Sequence, residues 1–426
     1  MTPEVKERIE QIRNGNVPEG YKKTQSGIVP EDWSEYTIGE CLERVERPVD
    51  VQADEMYTQI GIRSHGKGLF YKEPVTGESL GNKAVYWVEP DCFVLNIVFA
   101  WEQAISKTTQ NEVGMIGSHR FPMYRPIDGR VDVDYLITYM LTKRGKDILE
   151  AASPGGAGRN RTLGQDRFMK NKIILPSVEE QCRIAETLTA QNKTIELKEK
   201  LLAEKQRQKK YLMQQLLTGK KRLPGFDDKW RYVELGNISK KQKQKNKQFE
   251  YSLVLSNSAQ HGIIPQTEQF DKEIANEERI DGYYIVHNGF FVYNPRISVT
   301  APCGPINRNE TGQTGVMSPL YTVFAVESEY INNDFLKQYF SSSCWYRHMK
   351  SVANYGARHD RMSVSDEDFF LMPIPVPSME EQQAIAQVLF TADKEIELLQ
   401  QDLEQEKQKK KVLMQLLLTG IVRVTE

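Results

Sequence analysis

The sequence predicts an α+β fold: two similar globules separated by two long antiparallel coiled-coil helices, arranged as a pseudo-two-fold internal repeat. Three observations predict it. A charged, helix-like stretch from Pro176 to Gly219 recurs without a gap from Pro377 to Gly420, a Trp-and-Gly phrase opens each half, and short β-rich runs in the two halves echo one another. A period of about 200 residues is too long for a solenoid, so it reads as two halves ending in the same element.

The helical stretch comes first because it carries the repeat. One copy opens PSVEEQ and closes LMQQLLTG; the other opens PSMEEQ and closes LMQLLLTG. Ser177 with Glu180, and Ser378 with Glu381, have the spacing of a capping box. Gly219 and Gly420 are C-terminal stop signals. With no Gly or Pro between, each helix would run for about 60 Å at ~1.5 Å per residue. In the second copy Ile385, Leu389, Ala392, Ile396, Leu399, Leu403, Leu413 and Leu417 fall on a heptad seam, interrupted by Glu406 and Lys410. The matching slots of the first copy are Ile184, Leu188, Gln191, Ile195, Lys198, Leu202, Lys205, Lys209, Leu212 and Leu216. Polar seam positions cost stability and fix register and partner choice. Single helices of this kind are marginal alone. An intramolecular antiparallel pair is the expectation; packing of each helix on its own globule, or on another chain, are the alternatives.

In chain order, Thr2–Arg13 reads as a short helix, followed by a connector with Gly20, Gly27 and Pro30. The phrase from Gly27 to Gly39, with Trp33, is matched by Pro224 to Gly236, with Trp230. Tyr86–Asn96 and Tyr284–Asn294 each read as strand, polar turn, strand. A helical run follows in each half, Tyr135–Ala152 and Asn333–Val352, then a basic loop, then a strand, Lys172–Leu175 or Met372–Val376, leading into the long helix.

Composition narrows the function classes. The 426 residues suffice for two to four domains, and no apolar run reaches the ~18 residues of a membrane span. The charged N-terminus is unlike a signal peptide. The five cysteines, Cys41, Cys92, Cys182, Cys303 and Cys344, are scattered and odd in number, which suits a reducing cytosol and not a zinc ribbon. No P-loop, no methyltransferase-type tetrapeptide and no nucleotide fingerprint occurs; Asn294–Pro295–Arg296 is the nearest to the tetrapeptide. Glu196–Leu197–Lys198 has a nuclease-like spacing but lies mid-helix among alternating charges, as solvated surface does. The sequence therefore offers no catalytic residue and no metal site.

With a net charge of −2, a nucleic-acid role would rest on local basic patches. The candidates are Arg63 and Lys67 in a Gly-rich loop, and Arg159 and Arg161 in the basic loop of the first half. In the second half they are Arg358 and Arg361 in the corresponding loop, Arg296, and Lys240, Lys241 and Lys243 in a lysine-dense stretch. Gly beside Arg suits close backbone approach with forked donors, for phosphates or a guanine edge. Solvated connectors with incidental charge are the bland alternative.

Taken in order, the doubled helix signature, the doubled entry (PEDW…IG and DDKW…LG) and the strand-turn segments resemble the specificity subunit of type I restriction–modification systems over essentially the whole chain. So does the phrase Tyr293–Ser298 followed by Gly315–Tyr321. The resemblance implies an N-terminal segment and first target-recognition domain over 1–176 and a first spacer helix over 177–219. It implies a second recognition domain over 220–376, and a second helix with a C-terminal tail over 377–426. It further implies a non-catalytic cytoplasmic subunit that reads one half of a split double-stranded DNA site with each domain. The helices would set the gap and dock two methyltransferase subunits; restriction/translocase subunits would join that core, and S-adenosylmethionine and ATP would sit on those partners. A stand-alone DNA nuclease and a two-headed protein-binding scaffold are the other readings.

Overall fold

The computed structural model describes residues 2–25, 27–127, 129–155, 161–269, 277–354 and 360–424. The chain divides into two compact units, Met1–Leu197 with Glu404–Glu426, and Lys198–Leu403. Each unit therefore contains the start of one long helix and the end of the other.

The first unit opens with the helix Pro3–Arg13, where Thr2 accepts the Val5 N–H and Pro3 takes the first turn, which has no need of its N–H. Ser34–Thr37 pairs antiparallel with Lys172–Leu175, the strand that feeds the first long helix. In the second unit Arg231–Glu234 pairs in the same way with Pro373–Val376, which feeds the second. Each unit is then built on a four-stranded antiparallel sheet of the same order. In the first the order is Ile105–Lys107, Phe93–Leu95, Met123–Pro126 and Leu42–Val45. In the second it is Ile306–Arg308, Phe291–Tyr293, Thr322–Val326 and Ser239–Lys241.

The two strands of each strand-turn-strand segment part company. Val85–Trp87 pairs with Ile116–Ser118 and Tyr284–Val286 with Gly315–Met317, while the following strand enters the four-stranded sheet. A left-handed residue turns the chain between sheets in both copies: Asp91 at φ +55° and Gly289 at φ +90°. Asp is among the few non-Gly residues that tolerate this region. The two expected helical runs are each broken in two, as Val133–Met140 with Lys143–Ala151, and Asn333–Phe340 with Tyr346–Val352. In the first, Thr142 caps the new helix through the Gly145 N–H, and a Cβ on Gly145 would lie 2.2 Å from Met140 Cα. Only glycine allows so tight a corner.

The long helices span Val178–Leu216 and Met379–Leu418, 39 and 40 residues. Both end at a left-handed glycine, Gly219 at φ +65° and Gly420 at φ +69°, whose N–H donates to Leu216 O or Leu417 O, and the chain beyond folds back with Lys221 N–H donating to Gln215 O and Val422 N–H to Leu416 O. The apolar starts and ends of the helices are core. Ile184, Leu188, Leu413 and Leu417 pack with Phe93, Tyr135 and Phe168 in the first unit. Leu212, Leu216, Ile385 and Leu389 pack with Phe291, Phe324 and Phe335 in the second. Ile195, Leu202, Ile396 and Leu399 are half-buried, and Leu403 is buried.

Within each unit the helices run antiparallel, and the polar seam slots are paired across them. In the first unit Gln191 Nε2 donates to Glu406 Oε2 at 2.6 Å. In the second, Lys198 meets Asp402 at 2.8 Å, Lys205 meets Glu395 at 2.6 Å, and Lys209 pairs with Asp393. A parallel, in-register pair would set Lys209 opposite Lys410, lysine against lysine. The charge pattern thus selects the antiparallel register.

Only half of each expected capping box forms. Ser177 Oγ accepts the Glu180 N–H and Ser378 Oγ the Glu381 N–H, both at 3.3 Å. The two carboxylates are buried and serve another partner. Arg423, just past the end of the second helix, donates twice to Glu180 at 2.6 Å and also to Asp32. Arg222, just past the end of the first, donates to Glu381 at 2.6 and 2.7 Å, and Trp230 Nε1 joins at 2.9 Å. The entry tryptophans close the same joints: a Cβ on Gly420 would come within 3.0 Å of Trp33, and one on Gly219 within 3.3 Å of Trp230.

The arginine's hydrogen bond lowers the Asp32 pKa below the ordinary carboxylate value. That part of the stabilisation is present above the unfolded pKa of about 4 and is lost as pH falls through the depressed folded value. Arg423→Gln leaves the Glu180 charge buried without its partner. We expect it to destabilise the chain by about 2–3 kcal/mol at pH 7, below the range for a fully buried pair because the arginine is partly exposed. Chemical denaturation should show the gap between wild type and variant narrowing below pH ~4 as Asp32 protonates.

Candidate nucleic-acid interface

In each unit the site is built on the hairpin loop between the two strands at one edge of the four-stranded sheet. In the first unit this loop runs from Asn96 to Ala104, with Asn96 N–H donating to Ala104 O. In the second it runs from Asn294 to Pro305, with Asn294 N–H donating to Pro305 O. The chain emerging from the basic loop lies against it in both. Leu163 N–H donates to Ile97 O at 2.8 Å, and Met362 N–H donates to Pro295 O at 2.9 Å. Arg161 in the first unit, and Arg296 with Arg361 in the second, are thereby gathered beside one hairpin loop per unit.

In the first unit Arg161 lies over the Trp101 ring, 5.5 Å from its centroid. Trp101 is half-buried and its Nε1 donates to Val98 O at 3.1 Å. The Gly-rich loop is tied to the same turn. His65 N–H donates to Glu102 O at 2.8 Å, Gly66 N–H to Gln103 O at 2.9 Å, and Ser64 Oγ to Glu102 Oε2 at 2.8 Å. His65 adopts φ +60°, a strained conformation for a side chain of its size. Lys67 and Arg63 are both exposed, but Arg63 is engaged within its own loop, lying over the Phe70 ring and donating to Leu69 O.

In the second unit Arg296 and Arg361 face each other across an antiparallel bridge. Asp360 lies between them, 4.0 Å from Arg296 Nε and 3.9 Å from Arg361 Nε. Val299, in the same hairpin loop, is fully exposed. The lysine-dense stretch is put to another use. Lys241 pairs with Asp366 at 2.5 Å and Lys240 with Glu327 at 2.7 Å, a hydrogen bond that raises the Lys240 pKa. Lys243 is exposed. Arg159 and Arg358 lie outside the described residues.

The Glu196–Lys198 spacing is taken apart by the helix pair, since Lys198 turns to Asp402. All five cysteines are unbridged, and burial pushes Cys41 and Cys92 up to about 11, so both remain thiols at neutral pH. No helix among the described residues is long and apolar enough to cross a membrane. Sequence reasoning missed Trp101 and Asp360. The signal for Trp101 was position: it sits in the first-half counterpart of the loop that carries Arg296.

The family model described as "Type I restriction modification DNA specificity domain" matches this chain twice, over residues 30–206 and 227–407. The chain belongs to that family and carries two copies of its DNA specificity domain. Among relatives, the type I restriction enzyme MjaVIII specificity subunit of Methanocaldococcus jannaschii is 24% identical over 95% of this chain and 96% of its own length. The HsdS subunit from Thermoanaerobacter tengcongensis shares the fold with a TM-score of 0.54 at 17% identity, covering 92% of this chain and 98% of that one. A chain from a structure concerned with complex assembly and conformational transition of the type I R-M system gives a TM-score of 0.56 at 17% identity, covering 92% and 99%.

The geometry separates structural lysines from available ones. Lys241→Ala strips Asp366 of its partner and is expected to lower unfolding stability by about 0.5 kcal/mol, the usual scale for a partly exposed pair. Lys67→Ala should leave stability unchanged; parallel denaturant titrations check both.

Proposed function

We propose that this chain is the non-catalytic, sequence-reading subunit of a type I restriction–modification assembly acting on double-stranded DNA. Recognition domain 1–176 reads one half of a bipartite site and domain 220–376 reads the other. The spacer helix in 177–219 and the second spacer helix with its C-terminal tail in 377–426 set the gap between the halves and dock two methyltransferase subunits. Restriction/translocase subunits join that core, S-adenosylmethionine and ATP belong to the partners, and the assembly works in the cytoplasm.

The observation that carries this reading is the hairpin loop that recurs in the same sheet position, pinned by the same backbone bond, with different side chains in each copy. Trp101 with Arg161 occupies one; Arg296, Arg361 and Val299 occupy the other. A common frame with different reading groups suits two different half-sites. Base-edge contacts would specify sequence, and exposed cations such as Lys67 would position the phosphates. Docking on the helices is supported by large apolar side chains that the single chain leaves exposed, among them Leu201 at 44% and Leu398 at 63%.

Modification-sensitive sequencing tests the reading directly. Genomic DNA from cells carrying this gene with its methyltransferase partner should show a split methylation motif that disappears when only this gene is deleted. Unchanged methylation with the partner expressed would remove the proposal. Inserting one heptad at matched positions in both helices should lengthen the gap and leave both half-sites as they were. Lys67→Ala should make log affinity less steep in log salt by about 0.9, one phosphate's worth.

A further inference from the structure

We propose that Arg161 reads a guanine in the half-site of the first unit and that Trp101 is its positioning residue. This assignment rests on the DNA-reading function above. An arginine on a flexible loop samples many rotamers; this one is restrained from two directions. Its guanidinium lies over the indole, 5.5 Å from the ring centroid, and the next turn of chain is fixed by Leu163 N–H to Ile97 O at 2.8 Å and Gly164 N–H to Ala152 O at 2.8 Å.

The indole is itself restrained. Its N–H is bonded to Val98 O within the same hairpin loop. The bonds from His65, Gly66 and Ser64 to Glu102 and Gln103 brace that loop from outside. The bracing loop packs on the helix that ends at Met140: a Cβ on Gly66 would lie 2.6 Å from Leu141 Cδ2. The whole platform under Arg161 is thus tied to the body of the unit, as a reading group requires.

The chemistry favours a base edge. Among the described residues no carboxylate or carbonyl uses the Arg161 donors. A guanidinium held over an aromatic face keeps its planar fork of N–H donors available at its edge, and such a fork makes two parallel bonds to guanine O6 and N7 in the major groove. The second unit differs: Arg296 and Arg361 lean on Asp360, and among the described residues no ring lies under either. The two hairpin loops therefore use arginine in two ways, one held over a ring and one charge-paired.

The test uses the full chain assembled with its methyltransferase subunits. Bound duplexes are selected from a randomised pool and sequenced, for wild type, Arg161→Ala, Trp101→Leu and Trp101→Phe. Wild type should enrich a split motif with a guanine in one half. Arg161→Ala should relax that single position, lowering its guanine preference on the order of tenfold to a hundredfold, and leave the other half unchanged. Trp101→Leu should relax the same position by several-fold, and Trp101→Phe, which keeps an aromatic platform, should restore it. Uniformly weaker binding with an unaltered motif and a shallower salt dependence would make Arg161 a phosphate contact and overturn the proposal. Relaxation by Arg161→Ala with none by Trp101→Leu would overturn the role of Trp101. If wild type enriched no motif, the DNA-reading function itself would fall.

Discussion

Two buried carboxylates, Glu180 and Glu381, hold the architecture together. A carboxylate taken out of water is tolerated only with a partner of opposite charge and well-made hydrogen bonds. In this chain each partner arrives from the far end of the other helix: Arg423 for Glu180 and Arg222 for Glu381. The requirement therefore forces the start of one helix and the end of the other into the same unit. The glycine that stops each helix then lies against the tryptophan that opens a globule, and the paired entry and exit strands follow. Pairing Arg423 with both Asp32 and Glu180 ties the last residues of the chain to its first strands.

The polar seam obeys the same logic with weaker pairs. Each lysine or glutamine in the first helix's seam has a carboxylate opposite it, and apolar residues above and below supply the burial. Leucine at those slots would pack in several registers and orientations; lysine opposite aspartate or glutamate does not. The half-burial of Ile195, Leu202, Ile396 and Leu399 follows from geometry, because two helices alone cover one face of each other. What remains exposed is available to other chains.

Much of this was legible in the sequence, and the limits of legibility are physical. Helix boundaries could be read because caps are local: Ser177 and Gly219 act within one turn. The seam could be read because heptads are periodic. The task of Glu180 could not, because the same Ser-x-x-Glu spacing serves a capping box or a free carboxylate, and the arginine that decides is 243 residues away. The lysine-dense stretch looked like one feature and is several, since Asp366 and Glu327 are brought to Lys241 and Lys240 only by folding. Arg161 could be named from its loop, but its ring could not. Trp101 sits on the hairpin between Phe93–Leu95 and Ile105–Lys107, and the chain carrying Arg161 is brought to it by the Leu163–Ile97 bond, an approach no spacing rule encodes.

The internal repeat gives this last point its functional weight. Two halves with the same helix, the same entry and the same sheet order are under one set of packing constraints. Those constraints fall on the carboxylate–arginine joints and the sheet-switching turns at Asp91 and Gly289. They do not fall on the surface of the hairpin loops, whose backbone is pinned at Ile97 or Pro295 while the side chains beyond stay free to differ. The loop can even differ in length, Asn96–Ala104 against Asn294–Pro305, because its ends are fixed by the sheet and its tip by nothing else in common. A scaffold that separates the residues that must match from those that are free to vary is what reading two different sequences with one fold demands.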